Sequence, residues 1–99
     1  MITSKQRAKL RGLANSLETI GQIGKGGMID TIVAQTNDAL TARELIKLRV
    51  LETCELTARE AAGELAAKTG AEIVQVIGYR FVLYRPNPQK PKDQRIQLG

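Results

Sequence analysis

Two hydrophobic rhythms alternate along this chain, one of period three to four and one of period two. Between Thr3 and Leu17 the apolar positions Leu10, Leu13, Ala14 and Leu17 fall at helical spacing, and Thr3 with Gln6 forms a capping-box pattern at the start. Gly12 lies inside this helix, where it costs about 1 kcal/mol relative to alanine, so close packing against a neighbour is expected there. Thr19 to Ile23 reads as a short extended segment. Ile29, Ile32, Val33, Thr36 and Leu40 then restore the helical stripe, which ends around Thr41-Ala42-Arg43. From Glu44 to Leu51 the period switches to two: Ile46, Leu48 and Val50 share one face, and Leu45, Lys47, Arg49 and Leu51 the other. That predicts a strand with one buried face and one face bearing two cations.

A second capping box, Thr57 to Glu60, opens a third helix running to about Thr69. Its face of Ala58, Ala61, Ala62, Leu65 and Ala66 is small enough to lie close on a sheet, and Gly70 supplies a stop. Glu72 to Ile77 and Arg80 to Arg85 predict two strands joined at Gly78-Tyr79 as a hairpin. Pro86, Pro88 and Pro91 end regular structure, and the polar tail with Lys90, Lys92 and Arg95 is expected to be an extended or disordered basic arm.

The resulting order, α-β-α-β-α-β-β, predicts an α/β two-layer sandwich with helices packed on a small four-stranded mixed sheet. Strands linked through helices should run parallel, and the last two antiparallel. Residues 1–86 form one domain and 87–99 its tail.

Composition narrows the chemistry. The absence of histidine removes the commonest general base and the His metal sites. A single cysteine, Cys54, permits no internal disulfide and is expected to be a small packed side chain. No apolar run reaches membrane-spanning length and the N-terminus lacks a signal-peptide core, so the expected setting is the cytoplasm, away from membranes. Lys25 is followed by Gly26 where a P-loop needs Ser or Thr, and the glycines at 21, 24, 26 and 27 are wrongly spaced for dinucleotide binding. The carboxylates form no tight pair and no metal-ligand spacing. No enzyme activity, metal or cofactor is expected.

The formal net charge of +5 favours polyanions. Lys5, Arg7, Lys9 and Arg11 precede the first acid, Glu18, and make the first helix basic away from its apolar side. The apolar run ending at Ile23, then Gly24-Lys25-Gly26-Gly27, then a helix, reads as strand, tight loop and helix start. Free amides and the helix dipole at such a junction suit a phosphate, with Lys25 as a mobile cation. Lys47 and Arg49 rank below the loop. Tyr79, beside Arg80, is the better placed of the two tyrosines for a base, and Tyr84 is expected to pack. The competing reading is a protein-interaction module in which the glycines make only a sharp turn.

Several stretches together resemble the YhbY-like family, whose fold is the CRM domain, named for chloroplast RNA splicing and ribosome maturation. They are Leu10 to Ala14, Ile23 to Gly27, Ala39 to Lys47, Thr69-Gly70-Ala71, Gln75 to Gly78 and Leu83 to Pro86, in order over nearly the whole chain except the tail. The resemblance implies a stand-alone RNA-binding domain of the bacterial type, associated with ribosomal RNA and precursors of the large ribosomal subunit and with its assembly; a monomer is expected. It also implies a fold like the C-terminal domain of translation initiation factor three and a glycine loop comparable to that of KH domains. Carried onto this sequence, the loop is Gly24, Lys25, Gly26 and Gly27, with Arg85 as a backbone contact; by charge, Lys5, Arg7, Lys9, Arg11, Arg80 and the basic tail are expected to extend the RNA-binding footprint. Two departures stand out: Tyr79 occupies a position usually basic in the family, and Met28-Ile29 replaces a usual Leu-Thr pair after the loop.

Overall fold

Two reciprocal caps and one left-handed glycine set most of the helix limits. The computed structural model describes residues 2–27 and 29–98. In α1 (Ser4–Ala14) the Gln6 amide donates to Thr3 Oγ1 at 3.1 Å, while the Thr3 amide donates to Gln6 Oε1 at 3.0 Å. Thr57 and Glu60 repeat the exchange at α3 (Ala58–Thr69), which Gly70 closes at φ 74°. The middle helix, α2 (Asp30–Arg43), follows Ile29, which makes no side-chain cap bond.

The strands are β1 (Thr19–Ile23), β2 (Leu45–Val50), β3 (Glu72–Ile77) and β4 (Arg80–Tyr84), in the spatial order β1-β2-β4-β3. β1 runs parallel to β2, whereas β4 is antiparallel to both β2 and β3. Inserting β4 between them keeps β2 and β3 co-directional without pairing them. The element order and the four-stranded mixed sheet agree with the sequence pattern.

The layering differs from a two-layer sandwich, because the central strands are apolar on both faces. Ile46, Leu48, Val50, Phe81 and Leu83 point to α2 and α3, meeting Leu40, Ala61, Ala62 and Leu65. The intervening positions Leu45, Val82 and Tyr84 point the other way and join Val74 with Leu10 and Ala14 of α1. The first helix therefore covers the opposite face and makes three layers. Gly12 does not sit in a tight contact, since a Cβ there would meet nothing within 4 Å; the close approach is at Gly21, where a Cβ would lie 2.9 Å from Leu48 Cδ2. Cys54 is half-buried against the larger cluster.

The segment after Pro86 is docked, not a free arm. Glu44, 1% exposed, accepts the Asn87 amide on Oε2 at 2.6 Å and the Ile96 amide on Oε1 at 2.8 Å. Its backbone is held at φ 65°, a conformation that persists in a non-glycine residue only where surroundings over-determine it. Ile96 and Leu98 pack on the α1 cluster, and Lys90 Nζ donates to the Ala42 carbonyl at 2.8 Å. Two charge-assisted bonds and apolar burial outweigh the entropy of a proline-punctuated tail.

Burial raises the Tyr84 hydroxyl above its ordinary value, the Glu44 carboxylate adds to the rise, and Arg95 opposes it. A raised folded-state value contributes stability below the unfolded value, about pH 10 for a phenol, which is lost as pH climbs through the folded one. Thermal scans between about pH 9 and 11 should show the melting temperature of the natural chain falling more steeply than that of Tyr84→Phe.

Candidate nucleic-acid interface

Strand direction gathers three connections at one end of the sheet. β1 and β2 both finish there and β4 begins there, so residues 24–27, the loop 51–57 and the Gly78-Tyr79 turn are neighbours. The Leu51 amide donates to the Ile23 carbonyl and the Val50 amide to the Tyr79 carbonyl, each at 2.8 Å. Residues 24–27 form a turn closed by the Gly27 amide on the Gly24 carbonyl at 3.0 Å. Gly27, at φ 65°, is the one loop glycine whose conformation calls for glycine. A Cβ at Gly24 or Gly26 would meet only ordinary contacts, at 3.5 Å and 3.7 Å.

The loop's own bonding decides which amides are available. The Gly27 and Ile29 amides are committed to turn contacts, the latter to the Gly27 carbonyl at 3.1 Å. The Lys25 and Gly26 amides have no partner among the described residues, and Lys25 and Gly26 are both exposed. Among the described residues the first intrahelical bond of α2 is Val33 to Ile29, and the Asp30, Thr31 and Ile32 amides at the helix start have no partner there. Asp30 already occupies the positive end of that helix, which makes Lys25 the source of net attraction for an anion. Met28 lies outside the described residues, so of the Met28-Ile29 departure only Ile29 can be placed, beginning the helix without a side-chain cap.

On the α1 side of the sheet, the half nearest these loops is open. Lys47 and Arg49 of β2 face this side, and Arg49 lies directly opposite Arg80 in the β2–β4 register. Arg49 Nε and Nη2 donate to Gln22 Oε1 at 3.2 and 2.8 Å, a neutral partner. Like charges directly opposite across strands repel; a phosphate between the two guanidiniums would relieve that repulsion. Glu52 and Glu55 stand exposed on the 51–57 loop, so a polyanion at this end is steered toward Arg49 and Arg80. Tyr79 is 60% exposed at the turn.

The remaining cations divide. Arg11 and Arg7 lie one and two turns before Asn15, which lines the cleft between α1 and the open face, so periodicity puts all three on one side of the helix. Arg7 is engaged, donating through Nη1 to the Ile73 carbonyl. Lys5 and Lys9 are exposed and share a different side of α1. Arg85, expected as a backbone contact, is bonded into the fold: Nη1 donates to Asn37 Oδ1 and the Thr69 carbonyl at 2.6 and 2.7 Å, and Nη2 to the Asn37 carbonyl and Thr41 Oγ1 at 3.0 and 2.8 Å. It closes the opposite end of β4 from the glycine loop. The tail's Lys90 and Arg95 lie at that far end too, against α2's last turn and Tyr84. Lys47 and Arg49 were legible as a cationic strand face, but their junction with Arg80 required the strand order.

The sequence profile of the CRS1 / YhbY (CRM) domain matches residues 2–85. The chain belongs to this family. Among relatives of this CRM domain, "Probable RNA-binding protein YqeI" of Bacillus subtilis is 42% identical over 98 residues, covering 99% of both chains. A Haemophilus influenzae protein named "RNA-binding protein" is 33% identical over 97 residues, covering 98% of this chain and 94% of its own. The solution structure of the Staphylococcus aureus protein SAV1595, "a putative RNA binding protein", superposes with a TM-score of 0.78 at 40% identity, covering 98% of this chain and 100% of that chain.

Proposed function

We propose that this CRM domain is an RNA-binding protein that associates with ribosomal RNA or precursors of the large ribosomal subunit in the cytoplasm and assists their assembly. It acts by holding RNA, without catalysis or a cofactor. The observation that carries the reading is one end of the sheet, where an exposed glycine turn with Lys25 follows β1 and Arg49 and Arg80 stand opposite one another on β2 and β4. Its relatives' names support the class of ligand.

In this mechanism the Lys25 and Gly26 amides and the first turn of α2 hold one phosphate, with Lys25 reaching the next. Arg80, Arg49 and Arg11 then take the backbone across the open sheet face. Such contacts position RNA and carry little sequence information, so selectivity rests on RNA shape and on unstacked bases.

The test is ultraviolet crosslinking in growing cells followed by gradient sedimentation. The protein should travel with large-subunit precursor particles and crosslink to their RNA. Sedimentation as a free protein, or with protein partners that survive ribonuclease, would transfer the loop to the protein-interaction reading. In vitro, affinity should fall steeply with salt, with a log–log slope of about 0.7–0.9 for each phosphate held.

A further inference from the structure

We propose that the cleft between the C-terminal end of α1 and the sheet takes one unstacked RNA base, read by the side-chain amides of Asn15 and Gln75 and flanked by Lys47 and Arg80. This rests on the RNA-binding reading and gives it a source of base selectivity.

The cleft has an apolar lining from Ala14 and Val82, with Ile77, 62% exposed, on its β3 side. Asn15 and Gln75 also line it, the first as the C-cap of α1 and the second on β3. Neither amide is hydrogen-bonded to another described residue, and Gln75 is half-buried. A half-buried amide without a partner carries a desolvation cost that a ligand's polar edge removes. Each amide offers both donors and an acceptor, the complement of a base's Watson–Crick edge.

Charge and width choose among ligands. Lys47 stands on β2 and Gln75 on β3, with β4 between them, so the cleft is about 10 Å across by ordinary strand spacing. That admits a splayed-out nucleotide and is too narrow for a duplex. Lys47 and Arg80 both line the cleft, and the Arg80–Arg49 pair links it to the glycine-loop end. An apolar floor with cations at the rim matches a base whose flanking phosphates lie outside. It matches an apolar peptide poorly.

The test uses the full chain, labelled with nitrogen-15 and titrated at low salt with RNA octamers of uridine, cytidine or adenosine. The side-chain NH2 signals of Asn15 and Gln75 should shift on binding, and affinities should differ among octamers by about fivefold or more. The double variant Asn15→Ala/Gln75→Ala should reduce that preference to within about twofold and retain the salt slope. Lys25→Glu should lower affinity for every octamer and reduce the slope, with the preference intact. Equal affinities for all octamers, amide signals that stay still during saturable binding, or an unchanged preference in the double variant would each overturn the slot while leaving RNA binding standing. Absence of binding to any RNA, structured or single-stranded, would instead remove the functional reading itself. If the double variant fails to fold, the amide signals of the natural chain decide the question.

Discussion

Lys25→Glu combined with Gly26→Glu is expected to lower affinity for structured ribosomal RNA by about 10- to 100-fold near 0.1 M salt. The substitution moves the loop's charge by three units, two from Lys25→Glu and one from Gly26→Glu, at an exposed tip. Backbone strain does not complicate it: Gly26 has no positive φ, and a Cβ there lies 3.7 Å from Ile29 Cγ2. The melting temperature should therefore change by no more than about 2–3 °C, because exposed substitutions away from special features stay within about 0.5 kcal/mol. Anisotropy titrations across a salt series provide the second readout, a log–log slope reduced by about 0.7–0.9 for each phosphate the variant no longer holds. Full affinity in a folded double variant would move the interface off the loop and onto the open sheet face. Gly27→Ala is a poorer probe, since φ 65° adds about 1 kcal/mol of strain to any change in binding.

Arg85→Ala is expected to destabilise the fold by about 2–4 kcal/mol. One guanidinium ties the end of β4 to α2 through Asn37 and Thr41 and to α3 through the Thr69 carbonyl. Truncation leaves carbonyls of Asn37 and Thr69 short of a charged donor and disconnects three elements at one corner. For a domain of this size the loss corresponds to a fall in melting temperature of about 10–25 °C. Arg85→Lys should recover only part of it, because an ammonium cannot present the same fork of donors. At a temperature where the variant is folded, the salt slope for RNA should match the natural chain. A stable Arg85→Ala protein with weakened RNA binding would return Arg85 to the interface.

The two variants separate the resemblance-based site into parts of different physical kind. In the Leu83 to Pro86 stretch Arg85 holds a corner of the fold, whereas Gly24 to Gly27 is an exposed turn with little internal bonding. Both look alike as cations near glycine or proline in a linear chain. What distinguishes them is burial and donor occupancy, which depend on residues 16 to 48 positions away in sequence.

Helix and strand limits were legible because their signals are local: a Thr with Gln or Glu three residues on, a glycine after the last turn, a switch from period four to period two. The sequence alone therefore determined the element order, the position of the glycine turn and the cationic face of β2. It did not determine what covers each face, since alternation at Leu45, Val82 and Tyr84 marks a second apolar surface only once β2 and β4 are neighbours. Tertiary structure decided that α1 closes that surface, that Glu44 anchors the tail, that Arg85 bonds to α2 and α3, and that Arg49 stands opposite Arg80. Each of these is a contact between distant segments, whose energy depends on strand order and on which donors remain unpaired after the chain has packed.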